Sequence, residues 1–129
     1  MADRKKSSQE EIEQFLKIFK ASWDGKVIIR EDPRNDETLT ILGIKPKHRA
    51  EEIKKLRDTD YFNGPTPDHD GEKGKEWWEF GMRVKGREIY IKIGIYKKEK
   101  GGYGGKCMSF HFPDRKINYP YKKDGDEHA

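Results

Sequence analysis

A single cysteine in 129 residues, Cys107, rules out an intrachain disulfide. Apolar residues make up only 32% of the chain. No apolar run approaches the ~20 residues that a membrane-spanning helix needs. The opening Met1-Ala-Asp-Arg-Lys-Lys is charged and lacks the apolar stretch of a signal peptide, so a cytoplasmic protein is expected. There is no internal repeat. Gly101-Gly102-Tyr103-Gly104-Gly105 is rich in glycine, but it lacks a following Lys-Ser/Thr and a strand-to-helix setting, so it is not a phosphate-binding P-loop. Asp68-His69-Asp70 is a low-specificity metal pattern and reads better as a turn. No metal and no cofactor is expected.

What the chain has in abundance is charge, at 40% of residues. So polar a composition borders on disorder. Against disorder, the 3 Trp, 6 Phe and 6 Tyr cluster in a few segments, and periodic patterns run through residues 8–121. The length fits one domain, with loose tails expected at 1–6 and 124–129. The net charge is only +4, but it is unevenly placed. Residues 83–123 hold twelve Lys or Arg against three acids, a net of +9, which leaves −5 for the rest. A basic half of this kind fits a polyanionic partner, although a solvated lysine-rich surface has the same composition.

Helix signals come first. Ser8 with Glu11 forms a capping-box pattern, and Ile12, Phe15, Leu16 and Phe19 follow on one helical face to about residue 21. Val27-Ile28-Ile29 reads as a short buried strand. Pro33, Asn35 and Asp36 mark a loop, with Asn35 or Asp36 capping a short helix over 37–42 that stops at Gly43. Ile44-Lys45-Pro46 opens a third helix with Ala50, Ile53 and Leu56 inward. Residues 59–75 read as a long loop. Strands follow at 77–84, 88–96 and 106–112, the first two joined by a turn at 85–87 and the last two by a flexible glycine-rich connection at 97–105. A short edge strand is predicted at 118–121, weakened by Pro120. Helices first and an antiparallel meander after them make an α+β fold.

Two strand patterns carry chemistry. In Tyr90-Ile91-Lys92, the flanking Ile89, Ile91, Ile93 and Ile95 take the core side, so Tyr90 and Lys92 project together on the other. In Ser109-Phe110-His111, Met108 and Phe110 are assigned to the core, and Ser109 and His111 to the opposite face. An ordinary solvent face shows the same alternation. If the strands are neighbours, however, a phenol, an ammonium, a hydroxyl and an imidazole meet on one surface, a set suited to a phosphate and its protons. Ser109 lacks the surroundings of an activated nucleophile. In Trp77-Trp78-Glu79-Phe80, one Trp goes to the core and Glu79 shares the parity of Trp77. It reads either as a general base or as charge balance for Arg83 and Arg87. His48 is expected at the surface, and His128 has no assigned role.

Five segments line up in order: Asp60-Tyr61-Phe62-Asn63-Gly64-Pro65, Trp78-Glu79-Phe80-Gly81, Gly86 with Glu88-Ile89-Tyr90-Ile91-Lys92-Ile93, Cys107-Met108-Ser109-Phe110-His111, and Tyr119-Pro120-Tyr121-Lys122. Over roughly residues 10–122 the chain resembles the MqsR-like toxins of bacterial type II toxin–antitoxin systems. The resemblance implies a RelE-type fold, with helices packed on a twisted antiparallel sheet. It also implies metal-independent endoribonuclease cleavage of mRNA, checked by a cognate antitoxin that carries a helix-turn-helix DNA-binding part. By position, Tyr90 and Lys92 match the family's Tyr-x-Lys strand. His111 falls where better-known members carry Lys, Glu79 near a family Gln, and Asn63 near a family Lys. The expected roles are His111 as general acid, Lys92 as phosphate clamp, and Tyr90 or Glu79 as base or 2′-hydroxyl orienter. Arg83, Arg87, Lys106, Arg115 and Lys122 are the expected RNA and phosphate contacts. A module that binds RNA or protein through the same basic face without turnover is the other expectation.

Overall fold

The computed structural model describes residues 6–23, 32–67 and 76–122. Among these, helices α1 (Gln9–Ser22), α2 (Pro33–Leu42) and α3 (Pro46–Ile53) and a 3₁₀ turn (Asp58–Asp60) precede four strands: β1 (Tyr61–Pro67), β2 (Glu76–Val84), β3 (Arg87–Lys97) and β4 (Tyr103–His111). The strands form one antiparallel sheet in the order β1-β2-β3-β4. The protein is therefore an α+β domain with its helices on a twisted antiparallel sheet.

Helix α1 starts where its sequence predicts. The Ser8 hydroxyl accepts from the Glu11 amide at 3.1 Å, and the Glu11 carboxylate accepts from the Ser8 amide at 2.8 Å. Its apolar face, Ile12, Phe15, Leu16 and Phe19, is buried. Phe15 stacks on Trp78 of β2 with ring centres 4.4 Å apart. Beneath it, Phe80, Ile89, Ile91, Ile93, Cys107 and Phe110 are fully excluded from solvent. Burying each large apolar side chain contributes ~1.5–3 kcal/mol, so this inner face holds the sheet in one register.

Helix α2 begins four residues earlier than predicted. Pro33 takes the first helical position, where its missing N–H costs nothing. The cap is Asp32, whose carboxylate accepts from the Arg34 amide at 3.0 Å. Asn35 is no cap but a buried helical residue. Its carboxamide donates to the Met108 carbonyl at 3.1 Å and accepts from the Phe110 amide at 3.0 Å, satisfying the free edge of β4. Gly43 closes the helix at φ 70°, as its position predicts.

Four other expectations are corrected. Residues 61–67 form edge strand β1 rather than loop: its two register shifts against β2 accommodate the Asn-Gly-Pro run that mimics a turn, and Pro67 is tolerated at the end of this edge strand. Strand β4 begins at Tyr103: Gly104 lies under the Tyr96 ring with no room for a Cβ, and Gly105 packs closely against Phe19. Residues 118–121 are not a strand. Lys6 is not loose, since its ammonium donates to the Phe62 carbonyl at 2.8 Å and to Asn63 Oδ1 at 3.2 Å. The predicted strand at Val27-Ile28-Ile29 and the Asp68-His69-Asp70 turn lie outside the described residues, as do residues 1–5 and 123–129.

A bulge in β4 sets which of its side chains reach the outer face. Lys92 pairs with Ser109 but Ile93 pairs with Cys107, so Met108 is the extra residue. Cys107 and Phe110 both face the core, and Met108 joins Ser109 on the outer face instead of packing inward as expected. Because the bulge depends on the Asn35 carboxamide, Asn35→Ala is expected to cost about 1–3 kcal/mol in chemical denaturation, the penalty for stranding buried backbone groups. A loss below about 0.5 kcal/mol would contradict this dependence of the bulge on Asn35.

Candidate functional site

The outer face of the sheet places polar side chains in adjacent columns. Asn63, Glu79, Lys92 and Ser109 are successive cross-strand partners, and Tyr90 pairs with His111 one step along. Gly81, opposite Tyr90, has no side chain. A Cβ there would sit 2.3 Å from Tyr119 Oη and 2.8 Å from Ile117 Cδ1. The bare backbone lets an irregular strap, residues 112–122, run back over this face. The strap is tied down by Tyr119 Oη donating to Glu88 at 2.8 Å, by Tyr121 Oη donating to the Ser7 carbonyl, and by Lys122 paired with Asp60 at 3.2 Å. Sheet, strap and the start of α2 enclose a cleft of about 530 Å³.

Glu79 is held at the cleft floor from two sides. Tyr90 Oη donates to one carboxylate oxygen at 2.6 Å, and Asn63 Nδ2 donates to the other at 2.6 Å. A carboxylate offers about four acceptor sites, so each oxygen keeps one free. Burial, followed by the hydrogen bond to Glu79 and its charge, pushes the Tyr90 phenol well above its ordinary value. At neutral pH Tyr90 is therefore the donor in its hydrogen bond with Glu79. Among the described residues Lys92, the cross-strand partner of Glu79, has no ion-pair partner, which leaves its ammonium available in the cleft.

The His111 ring lies 5.3 Å from that of Tyr90, and the residue is only 4% exposed. Its Nδ1 is 2.9 Å from the Phe112 carbonyl, which can only accept. Nδ1 is therefore the donor in this contact, and Nε2 is the other ring nitrogen. Cys107 faces away from the cleft, and burial pushes its thiol up to about 12. It is a core residue, unsuited to nucleophilic work.

The cleft thus brings together Glu79, Tyr90, Lys92, Ser109, His111 and the exposed Arg115. The other expected phosphate contacts lie elsewhere. Arg83 is in the β2–β3 turn region and donates to the Gly86 carbonyl at 3.1 Å. Arg87 stacks on Phe112, 4.3 Å from the ring centre. Lys106 is buried, its ammonium 4.6 Å from the Trp77 ring and 5.7 Å from that of Tyr96. Lys122 is used by Asp60 and by Tyr119, at 4.2 Å from the ring centre. Nor does Glu79 balance Arg83 or Arg87, since its partners are Tyr90 and Asn63. His48 is at the surface as expected, its side chain 39% exposed and 3.2 Å from Glu52.

One wall of the cleft carries no signal in the sequence. Arg34 donates to both oxygens of Asp32, at 3.1 and 2.8 Å, and to Asp114 of the strap at 3.2 Å. The hydrogen bond from Arg34 is the main reason the Asp32 carboxyl sits below the usual carboxylate range. Reading Pro33 as the first helical residue would have placed Asp32 and Arg34 at the helix start, but no local signal links Arg34 to Asp114. Among the described residues no group of three His, Cys, Asp or Glu is arranged to hold a metal ion. No protein-family model, no curated protein and no solved structure matches the chain.

The Tyr90 arrangement has a direct readout. In an alkaline ultraviolet titration, one phenol absent from Tyr90→Phe is expected to ionise well above the ordinary ~10. Glu79→Ala lowers that midpoint and leaves the burial contribution. Because folding raises this phenol, its contribution to stability is complete below ~10 and fades as pH climbs toward the raised value. An unchanged titration curve in Tyr90→Phe would contradict the assignment.

Proposed function

We propose that this protein is an endoribonuclease that uses the RNA's own 2′-hydroxyl as nucleophile. The observation that carries the reading is the hydrogen-bonded Glu79–Tyr90 pair flanked by Lys92 and His111 in one cleft. RNA needs only three services from an enzyme of this type: removal of the 2′-hydroxyl proton, stabilisation of charge on phosphorus, and a proton for the departing 5′-oxygen. Glu79 takes the first proton, with Tyr90 and Asn63 fixing its orientation. Lys92 faces the phosphate oxygens, aided by Arg115 at the rim. His111 Nε2 delivers the last proton, while Nδ1 stays bonded to the Phe112 carbonyl. The products are a 2′,3′-cyclic phosphate and a 5′-hydroxyl.

The sequence resemblance to MqsR-like toxins gives this activity a setting. The protein acts as the growth-inhibiting toxin of a bacterial pair, in the cytoplasm, on mRNA, and a cognate antitoxin with a helix-turn-helix part restrains it. Support for this larger reading is the ordered motif set, together with a helix-on-sheet architecture of the kind that family implies. No helix among the described residues is long and apolar enough to cross a membrane.

On a synthetic RNA, His111→Ala, Lys92→Ala and Glu79→Gln should each lower the cleavage rate by ~10²–10⁴-fold, with thermal melting used to confirm folding. Lys106→Ala should act through stability, because its ammonium is spent on Trp77. Wild-type cleavage by both His111→Ala and Lys92→Ala would sink the proposal. Salt-sensitive RNA binding with no cleavage by the wild type would identify a binding module instead.

A further inference from the structure

His111 separates two cavities. Beyond the main cleft lies a second hollow of about 240 Å³, lined by Arg34, Glu37, Ile41, His111, Phe112 and Asp114 among others. Arg34, His111, Pro113 and Asp114 line both, so the two hollows share a wall that includes the imidazole. The volume falls below the ~300–1,000 Å³ of a typical small-molecule site, which suits one planar ring rather than a whole nucleotide. Its apolar lining is Ile41, Phe112 and Pro113. Ile41 is 62% exposed, the most exposed large hydrophobic residue among those described. A helix residue of this kind costs little to cover, and the half-buried Phe112, whose ring already carries Arg87, adds apolar surface beside it. The rim carries the carboxylates of Glu37 and Asp114. Arg34 is already engaged by Asp32 and Asp114.

Chemistry orients an occupant. In an in-line displacement the attacking and leaving oxygens lie on opposite sides of phosphorus. With Glu79 serving the 2′-hydroxyl and His111 the departing 5′-oxygen, the nucleotide that leaves lies on the His111 side. Resting on the proposed RNA-cleaving role of the cleft, we propose that this hollow is a subsite for the base of the nucleotide immediately 3′ of the cut, and that it favours a base bearing an exocyclic amine. Carboxylates only accept hydrogen bonds. Adenine, cytosine and guanine each bring an amine to the rim, whereas uracil brings two carbonyls and one N–H. Glu37 and Asp114 are therefore specificity-determining residues and take no part in the bond changes.

Nucleoside 5′-monophosphates reproduce the leaving nucleotide with the scissile phosphate attached, and nucleoside 3′-monophosphates reproduce the other half. Titrating each into isotope-labelled protein and following backbone amides separates the cavities. The 5′-monophosphates of adenosine, cytidine and guanosine should shift Thr38, Ile41 and Phe112 as well as Lys92. They should bind at least about tenfold more tightly than uridine 5′-monophosphate, the size of a lost hydrogen bond to a charged group. The 3′-monophosphates should shift Lys92 but leave Ile41 in place. Glu37→Gln should narrow the preference over uridine, and Ile41→Ser should weaken all four 5′-monophosphates. Both changes are at exposed positions. Shifts confined to the main cleft, or equal affinity for the four bases, would overturn the subsite. Base binding at Ile41 in a protein that never cleaves RNA would remove the nuclease reading and overturn the assignment to the nucleotide 3′ of a cut, leaving only a base-binding hollow. Cleavage with Ile41 unmoved would keep the nuclease reading and overturn the subsite.

Discussion

A slip of one residue in β3 against its neighbours would turn Ile89, Ile91 and Ile93 out to solvent and drive Tyr90 and Lys92 into the core. The pairing register is the constraint on which everything else rests. It is enforced from the inner face, where three fully buried isoleucines, Phe80 and Phe110 pack under α1. The outer face inherits its geometry at no further cost. Once the isoleucines are inside, Tyr90 must stand beside His111 and Lys92 beside Glu79. The bulge at Met108 adjusts this pattern at one point. It lets Cys107 and Phe110 both enter the core and still presents Ser109 and His111 outward, and Asn35 repairs the backbone it exposes.

The polar outer face is kept folded by internal pairing. A half-buried Glu79 without donors would be costly, and Tyr90 and Asn63 supply them. The same bonds that lower this cost also fix the direction of the carboxylate, so stability and the proposed function draw on the same contacts there. Elsewhere the chain commits its cations to structure. Lys106 lies against Trp77, Arg87 against Phe112, and Lys122 against Tyr119 and Asp60. A basic count read from the sequence therefore overstates the positive surface at the cleft. There Arg34, Lys92, Arg115 and Lys116 share the walls with Asp32, Glu79 and Asp114.

Period-two alternation made β2 and β3 legible, and with them the shared face of Tyr90 and Lys92. The capping box and the i, i+3, i+4, i+7 pattern did the same for α1. What stayed hidden has a physical reason in each case. Strand β1 was masked by Gly64, Pro65 and Pro67, which an edge strand tolerates. Asn35 looked like a cap because its role, bonding the edge of β4, depends on a residue 75 positions away. Burial of Lys106 arises from Trp77 and Tyr96 meeting above Gly94 and Gly104, which no local pattern encodes. The Arg34 wall spans 80 residues of sequence. Short-range periodicity found the chemical groups, and long-range contacts decided which of them share a cleft.

The central claim is that this cleft cuts RNA through the 2′-hydroxyl of its own substrate. End-group analysis by mass spectrometry on a synthetic RNA, repeated with a single 2′-deoxy sugar 5′ of the mapped cut, addresses it most directly. The expected result is a 2′,3′-cyclic phosphate with a 5′-hydroxyl on the all-ribose strand and no cut at the deoxy position. A 5′-phosphate with a 3′-hydroxyl, or undiminished cleavage at the deoxy sugar, would contradict it.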